Sequence, residues 1–103
     1  MKSAPFFLAA LLRFPGGAAR QDAWGRLTVL TAGGARLSTG AVLAKGEGVS
    51  LHFELAGERL RMAARVVHVD IDDDGHRLAE LRWTDMVERR DLARVLIDVL
   101  SRS

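Results

Sequence analysis

The sequence predicts a small, mainly β domain that ends in one α-helix, and two periodicities carry this prediction. The apolar residues Val49, Leu51, Phe53 and Leu55 alternate with polar ones, which is typical of a strand with one buried face. In the C-terminal part of the chain, apolar residues recur at intervals of three and four, which indicates one face of a helix. Glycine-containing turns separate the strand-like segments, so we expect neighbouring strands to be antiparallel.

The composition is that of one globular domain. The chain has 103 residues, of which 49% are hydrophobic and 27% are charged. It contains no cysteine, which excludes disulfides, thiolate metal ligands and thiol nucleophiles. Its formal net charge is only +2, whereas domains that bind nucleic acid usually carry a dense basic patch. We therefore expect no DNA partner.

The first 20 residues are predicted to form an apolar segment and linker, followed by the folded domain at residues 21–103. The apolar stretch in residues 4–12 is much shorter than the ~20 residues that span a bilayer. We therefore expect a cytoplasmic protein without a membrane span. The apolar side chains of this segment are expected to contact a protein partner, the domain itself or a second copy of the chain. They are Phe6, Phe7, Leu8, Leu11 and Leu12.

The remaining strands follow from local pattern and turn residues. They are predicted at residues 26–31, 35–38, 49–55, 60–66 and 76–83. In the central hairpin, the alternation places Leu55 opposite Leu60 and Glu54 opposite Arg61, which is a favourable cross-strand charge pair. After Val66 the apolar residues change sides, which predicts a β-bulge or a change of the covered face.

The C-terminal helix is predicted to begin after Asp85. Asp85 and Glu88 have the spacing of a capping box, in which each side chain bonds to a main-chain N–H of the first turn. The predicted buried face consists of Leu92, Val95, Leu96, Val99 and Leu100.

No constellation of residues indicates catalysis or a metal site. Residues 70–75 (DIDDDG) match the opening of a calcium loop, but position twelve, where a glutamate should supply two oxygens, is Leu81. An acidic hairpin turn is the simpler interpretation. His52, His68 and His76 lack the spacing of a zinc site, and no G-x-S-x-G motif is present. We predict no enzyme activity and no metal.

An RNA-binding surface is an alternative that rests on the arginines. Arg59, Arg61 and Arg65 share one face of a predicted strand, and guanidinium groups bind phosphates and stack on bases. Acidic residues such as Glu54 and Glu80 lie on the same strands, which favours an ion-paired surface. The predicted sheet also lacks the exposed aromatic side chains on which RNA bases stack.

Residues 27–100 resemble the PilZ domain, a small bacterial β-barrel with a C-terminal helix. The similar segments are LTAGGARLSTGAVLAKGEGVSLHFEL, LRMAARVVHV and GHRLAELRWTDM, followed by the closing helix. The resemblance implies a small antiparallel β-barrel that acts in bacterial signal transduction. Members of the family commonly bind cyclic di-GMP through an R-x-x-x-R pair and a [D/N]-x-S-x-x-G turn between two strands.

The second of these motifs falls on residues 29–34 (VLTAGG). Thr31 and Gly34 match it, whereas Val29 replaces the acidic or amide residue. Valine cannot accept a hydrogen bond from guanine, and a hydrogen bond to a charged group contributes about 1.5–3 kcal/mol. Gly33 and Gly34 are expected to form the turn because glycine tolerates positive φ.

The arginine pair of the family is absent at its usual spacing. Only Arg13, Arg20 and Arg26 precede or begin the first predicted strand, and no two of them are four residues apart. We therefore expect a signalling adaptor with a degenerate nucleotide site, no cofactor and a protein partner. The alternatives are the RNA-binding barrel and a non-standard cyclic di-GMP receptor, whose site would lack preorganisation. The candidate ligand residues of that receptor are Arg13, Arg20, Thr31, Gly33 and Gly34.

Overall fold

The fold is a closed antiparallel β-barrel with one helix at its C-terminus. The computed structural model describes residues 8–15 and 20–101. In chain order the elements are β1 (Leu8–Arg13), β2 (Ala23–Leu30), β3 (Gly34–Thr39), β4 (Gly48–Leu55), β5 (Glu58–Ile71), β6 (Arg77–Trp83) and α1 (Met86–Ser101). The predicted fold class is confirmed. Within the described residues, no helix has the length and hydropathy needed to cross a bilayer.

The strands close into a ring in the order β1-β2-β3-β6-β5-β4. β1 completes this ring because it pairs on both sides. On one side Leu8 lies opposite Leu27 of β2, and on the other Leu12 lies opposite Leu51 of β4. Each strand therefore has two hydrogen-bonded neighbours, and none of the described strands presents a free edge.

The barrel begins before the boundary that the sequence indicated at residue 20. Sequence analysis placed residues 1–20 in a segment and linker, whereas Leu8–Arg13 is a strand of the barrel wall. Its inward residues Ala10 and Leu12 alternate with Ala9 and Leu11, which are also apolar. A strand of this kind shows no period-two pattern, so local sequence does not separate it from an apolar linker.

All six strands and the helix contribute to one core. Leu12, Leu27, Leu37 and Leu51 come from four different strands and are almost completely buried. Full burial of one such side chain stabilises the fold by about 1.5–3 kcal/mol. Among residues 8–15 and 20–101, the buried apolar residues are Ala10, Leu12, Phe14, Leu27, Ala35, Leu37, Leu43, Val49, Leu51, Phe53, Met62, Ala64, Val66, Ala79, Leu81, Trp83 and Leu92.

The hairpin between β4 and β5 is tighter than predicted. Glu54 lies opposite Arg59 and not opposite Arg61, because the loop contains only two residues. Those residues, Ala56 and Gly57, have φ of 53° and 81°, as in the type I′ turn whose twist matches that of the flanking strands. A register shift of two leaves every side chain on the same face. The inward and outward sets were therefore predicted correctly despite the wrong register.

The irregularity predicted after Val66 is a β-bulge. Pairing between β5 and β6 shifts between Val66 and His68. The main chain of Val66 instead bonds to the loop before β4: its N–H donates to Glu47 O at 2.9 Å, and its C=O accepts from Gly46 N at 2.7 Å. A bulge increases local bending, which allows the 14-residue strand β5 to follow the curved wall.

The helix is attached to the barrel through its first turns. Asp85 Oδ1 accepts the N–H of Glu88 at 2.9 Å, so half of the predicted capping box is present. The Glu88 carboxylate bonds elsewhere, to Ala63 N of β5 at 2.7 Å. Leu92 is fully buried in the core. Leu100, predicted on the same face, is 72% exposed because it lies about 80° around the helix from Leu92.

The buried position of β1 predicts a large effect of truncating Leu12. Leu12→Ala should lower the free energy of unfolding by about 2–5 kcal/mol, because it leaves a cavity in the core. Leu11→Ala, on the half-buried outer side of the same strand, is the matched control and should cost about 1 kcal/mol or less. Urea denaturation of both variants measures the difference. Equal, small losses would contradict the placement of β1 in the barrel wall.

Candidate functional site at the glycine turn

The turn between β2 and β3 satisfies its own polar groups. The Thr31 hydroxyl accepts N–H bonds from Gly33 at 3.2 Å and Gly34 at 3.1 Å. The Thr31 N–H donates to Gly34 O at 2.9 Å. Trp83 adds two bonds, from its indole N–H to Thr31 O at 3.0 Å and from its main-chain N–H to Gly33 O at 3.1 Å. The hydroxyl and amides that the motif would offer to a ligand are therefore already engaged within the turn.

The glycine at position 34 is required by strand packing. A Cβ atom built at Gly34 would overlap the carbonyl oxygen of Leu81 on β6, whereas one at Gly33 meets no atom within 4 Å. The expectation of positive φ at this turn is wrong, because the described glycines with positive φ are Gly46, Gly57 and Gly75. Gly34 allows close approach of β3 to β6, so its presence alone does not indicate a ligand.

A shallow pocket of about 620 Å³ opens beside this turn. Val29 and Gly33 line it, and the charged residues of its lining are Arg36, Arg82 and Glu80. Val29 occupies the position of the acidic or amide residue and is 40% exposed, so an apolar side chain faces solvent there. The pocket has cationic groups for a phosphate, but position 29 offers no side-chain acceptor for a base.

The two arginines of the pocket differ in their surroundings. Arg36 Nε lies 3.8 Å from Glu80 Oε1, and both side chains are exposed, so this ion pair contributes little to stability. Arg82 lies directly opposite Arg65 of β5. The two positive charges repel each other, and a bound anion would reduce this repulsion. Sequence analysis did not assign these arginines to the turn. Arg82 lies beside the turn because β6 pairs with β3, where Arg82 is opposite Gly34. Local sequence patterns do not reveal this long-range pairing.

Arg13 and Arg20 lie away from the glycine turn. Arg20 precedes β2 and Thr31 follows it, so the eight residues of β2 lie between them in the chain. Arg13 Nε pairs with Asp22 Oδ2 at 3.2 Å. Arg20 pairs with Glu47, and its guanidinium carbon lies 3.7 Å from the centre of the Phe14 ring. The structure therefore does not bring these two arginines together with Thr31, Gly33 and Gly34.

The apolar N-terminal residues divide between core and surface. Leu12 is completely buried and therefore does not present its side chain to a partner, whereas Leu8 packs against the core and is only partly buried. Leu11 lies on the outer face of β1, opposite Trp24 of β2 and His52 of β4. Phe6 and Phe7 lie outside the described residues.

Residues 72–75 of the acidic stretch form the turn between β5 and β6, as expected, whereas residues 70–71 belong to the end of β5. Asp72 Oδ1 accepts the main-chain N–H groups of Asp74 and His76, both at 2.9 Å. Asp72, Asp74 and His76 each place one potential metal-binding atom within 4.8 Å of the others. The histidine spacing considered in the sequence did not reveal this grouping, because it combines one histidine with two carboxylates. Exposed acidic turns commonly have this arrangement without binding a metal.

Comparison with known proteins identifies the family. The PilZ domain family model matches residues 7–98. The chain belongs to the PilZ domain family. Among solved structures, the crystal structure of the PilZ domain of CeSA from a cellulose-synthesizing bacterium is similar, with a TM-score of 0.66 and 23% identity over 95% of this chain and 96% of that chain. No match was found among curated proteins.

PilZ domains are generally non-catalytic modules, and the family is associated with cyclic di-GMP binding. In this PilZ domain the described part of the chain begins with β1 at Leu8–Arg13. Arg13 ends β1 and Arg20 lies beyond it. Both arginines therefore precede β2, so a whole strand does separate them from the glycine turn, but they lie seven residues apart and not four as in the R-x-x-x-R pair.

The packing of Gly34 predicts a difference between two adjacent glycines. Gly34→Ala should lower the free energy of unfolding by about 1–3 kcal/mol or more, because the new methyl group overlaps the carbonyl of Leu81. Gly33→Ala is the matched control and should change it by about 0.5 kcal/mol or less, since open space surrounds that position. Thermal or urea denaturation measures both. Equal stabilities would mean that β3 does not approach β6 so closely.

His52 is the described histidine whose pKa is clearly shifted. It lies half-buried on β4, and burial lowers its pKa, with the positive charges of Arg13 and Arg61 adding to the effect. Asp22 and Glu88 act in the opposite direction but do not reverse it. The unfolded chain therefore binds this proton more tightly than the folded protein does.

This shift predicts that protonation of His52 destabilises the fold. As the pH falls through the ordinary histidine range, about 6.5, the stability of the wild-type protein should decrease until His52 protonates in the folded state as well. His52→Gln should remove this component and flatten the dependence. Melting temperatures of both proteins from about pH 7.5 to 5 compare the slopes. Identical slopes would contradict the lowered pKa.

Proposed function

We propose that this PilZ domain is a non-enzymatic signalling adaptor of the bacterial cytoplasm that acts through a protein partner and binds cyclic di-GMP weakly or not at all. The observation that carries the proposal is the closed hydrogen-bond network of the glycine turn. The Thr31 hydroxyl holds the N–H groups of Gly33 and Gly34, and Trp83 holds the carbonyl groups on the other side. A ligand would have to compete with these bonds for the same atoms.

Two further features support a weak nucleotide site. Val29 places an apolar group where the family uses an acceptor, so a guanine edge bound there would leave its donors unpaired. Arg13 and Arg20 are held by Asp22 and Glu47 at a distance from the turn. Their recruitment would require the loss of existing ion pairs and movement of the chain, both of which lower affinity.

A cyclic di-GMP receptor with a non-standard site is the second candidate, and one observation favours it. Arg36 and Arg82 both line the pocket beside Gly33, and Arg82 faces the like charge of Arg65. Guanidinium groups in this arrangement suit a phosphate. In this case the arginines would come from β3 and β6 instead of the N-terminal segment.

The RNA-binding alternative receives less support from the geometry. Arg59, Arg61 and Arg65 are exposed on β5, but Arg65 donates to Gly46 O at 2.8 Å. In the part of the chain that the structure describes, one aromatic side chain on the sheet is exposed, contrary to the expectation from sequence: Trp24 of β2. β2 and β5 lie on opposite sides of the six-strand ring, so Trp24 cannot supply base stacking beside these arginines.

Titration of the ¹⁵N-labelled protein with cyclic di-GMP tests the adaptor proposal. The indole N–H of Trp83 bonds to Thr31 O, so its NMR signal reports on the turn. We expect no saturable shift of this signal up to a ligand concentration on the order of 1 mM. Calorimetric titration provides an independent measure.

Saturable micromolar binding would contradict the adaptor proposal, and variants would then identify the site. Loss of binding in Arg36→Ala and Arg82→Ala would establish the receptor on β3 and β6. Loss of binding in Arg20→Ala would instead implicate the segment before β2. Melting temperatures of the three variants serve as the control that each remains folded.

A further inference from the structure

Trp24 is an unusual surface residue of this barrel. It lies on the outer face of β2 and is 67% exposed, whereas Trp83 is 2% exposed. Its neighbour Gly25 points inward, where a Cβ atom would meet the side chains of Leu37 and Leu12. The core therefore explains Gly25 but not Trp24. An exposed tryptophan is costly to solubility and is a residue type enriched at the energetic centres of protein interfaces.

The sheet register brings an acidic turn next to this indole. Gly25 pairs with Thr39, and Thr39 pairs with Arg77 at the start of β6. The residues just before Arg77 therefore lie beside the end of β3, next to Trp24. A pocket of about 570 Å³ at this place is lined by Trp24, Asp72 and Asp74 among others.

Carboxylates outnumber arginines in the lining of this pocket. Asp72 and Asp74 line it, and Asp73 lies between them in the same turn, whereas Arg26 is the arginine of the lining. His76 also lines the pocket. Arg26 already has an interaction partner, and His76 Nδ1 lies 4.0 Å from Asp72 Oδ1. Asp74 is exposed at the rim and can meet an added cation.

The surroundings of Trp24 leave room for a side chain from outside. Gly40 lines the same pocket, and a Cβ atom added there would meet nothing within 4 Å. Leu11, directly opposite Trp24 on β1, adds an apolar, half-buried neighbour. β2 is paired on both sides, so a partner cannot add a strand here and must bind through its side chains.

We propose that Trp24, with Asp72 and Asp74, forms a docking site for an arginine or lysine side chain in a basic segment of a protein partner. The cation would lie over the indole ring, where the ring quadrupole attracts it, and the carboxylates at the rim would supply charge-assisted hydrogen bonds. Leu11 would contact the aliphatic part of the same segment. This inference rests on the proposed adaptor function and names the chemistry of its partner.

NMR titration with a synthetic basic peptide tests the site. The probe is the amidated peptide Ser-Arg-Ser-Arg-Ser-Arg-Ser, and the matched control replaces each arginine with glutamate. At low ionic strength we expect the arginine peptide to shift the Trp24 indole N–H signal saturably while the Trp83 signal stays in place. The glutamate peptide should shift neither. Added salt should weaken binding, because the attraction is between exposed charges.

Variants of charged residues distinguish binding at this site from non-specific electrostatic attraction of the basic peptide to the protein. Asp74→Asn should weaken binding by about threefold, whereas Glu54→Gln, which removes an exposed carboxylate on β4, should leave it within about 1.5-fold. Trp24→Ala should weaken it by about two- to fivefold, measured by the main-chain N–H shift of Gly40. Melting temperatures confirm that each variant is folded.

Three outcomes would overturn the inference. They are the absence of a Trp24 shift, equal effects of Asp74→Asn and Glu54→Gln, and a Trp24 shift that depends on protein concentration alone. The last would assign the patch to a second copy of the chain. Tight binding of cyclic di-GMP would shift the Trp83 indole N–H signal and overturn the proposed function. The Trp24 signal tests the docking site and the Trp83 signal tests the proposed function, so failure of one can be distinguished from failure of the other.

Discussion

The closing of the sheet by β1 is the constraint on which the rest of this molecule depends. β1 pairs with β2 on one side and β4 on the other, which removes both edges that a five-stranded sheet would expose. The same strand carries Leu12 into the centre of the core, against residues from several strands. Hydrogen bonding around the ring and packing within it are therefore satisfied together. Surface features such as the glycine turn and the Trp24 patch are held on a rigid wall.

The sequence predicted which face of the sheet a side chain occupies more accurately than which residues pair across neighbouring strands. Period-two alternation assigned the side chains of β4 and β5 to the correct faces, because every second side chain of such a strand is buried. It could not choose between Arg59 and Arg61 as the partner of Glu54, since both residues face outward and carry the same charge. The backbone conformation of Ala56 and Gly57 decided the register. β1 escaped detection for a related reason, because a strand with apolar residues on both faces has no alternation.

The candidate site was predictable only in its local part. Thr31, Gly34 and the substitution at Val29 lie within one short stretch, so the sequence alone located the turn and its missing acceptor. The guanidinium groups of Arg36 and Arg82 reach this turn through the pairing of β3 with β6, which joins residues far apart in the chain. Trp24 and the acidic turn likewise meet only after the barrel closes. Long-range pairing, which no local pattern encodes, determines which charged groups share a surface.

The bond between Glu88 and the main chain of Ala63 bears on how this module can transmit a signal. Ala63 lies just beyond the residues of β5 that pair with β6, and the helix supplies the acceptor for its N–H. Removing α1 would expose Leu92 and leave that amide without its partner, so detachment of the helix carries a substantial energetic penalty. The adaptor that we propose would therefore present the barrel and α1 to a partner as one rigid unit, without release of the helix.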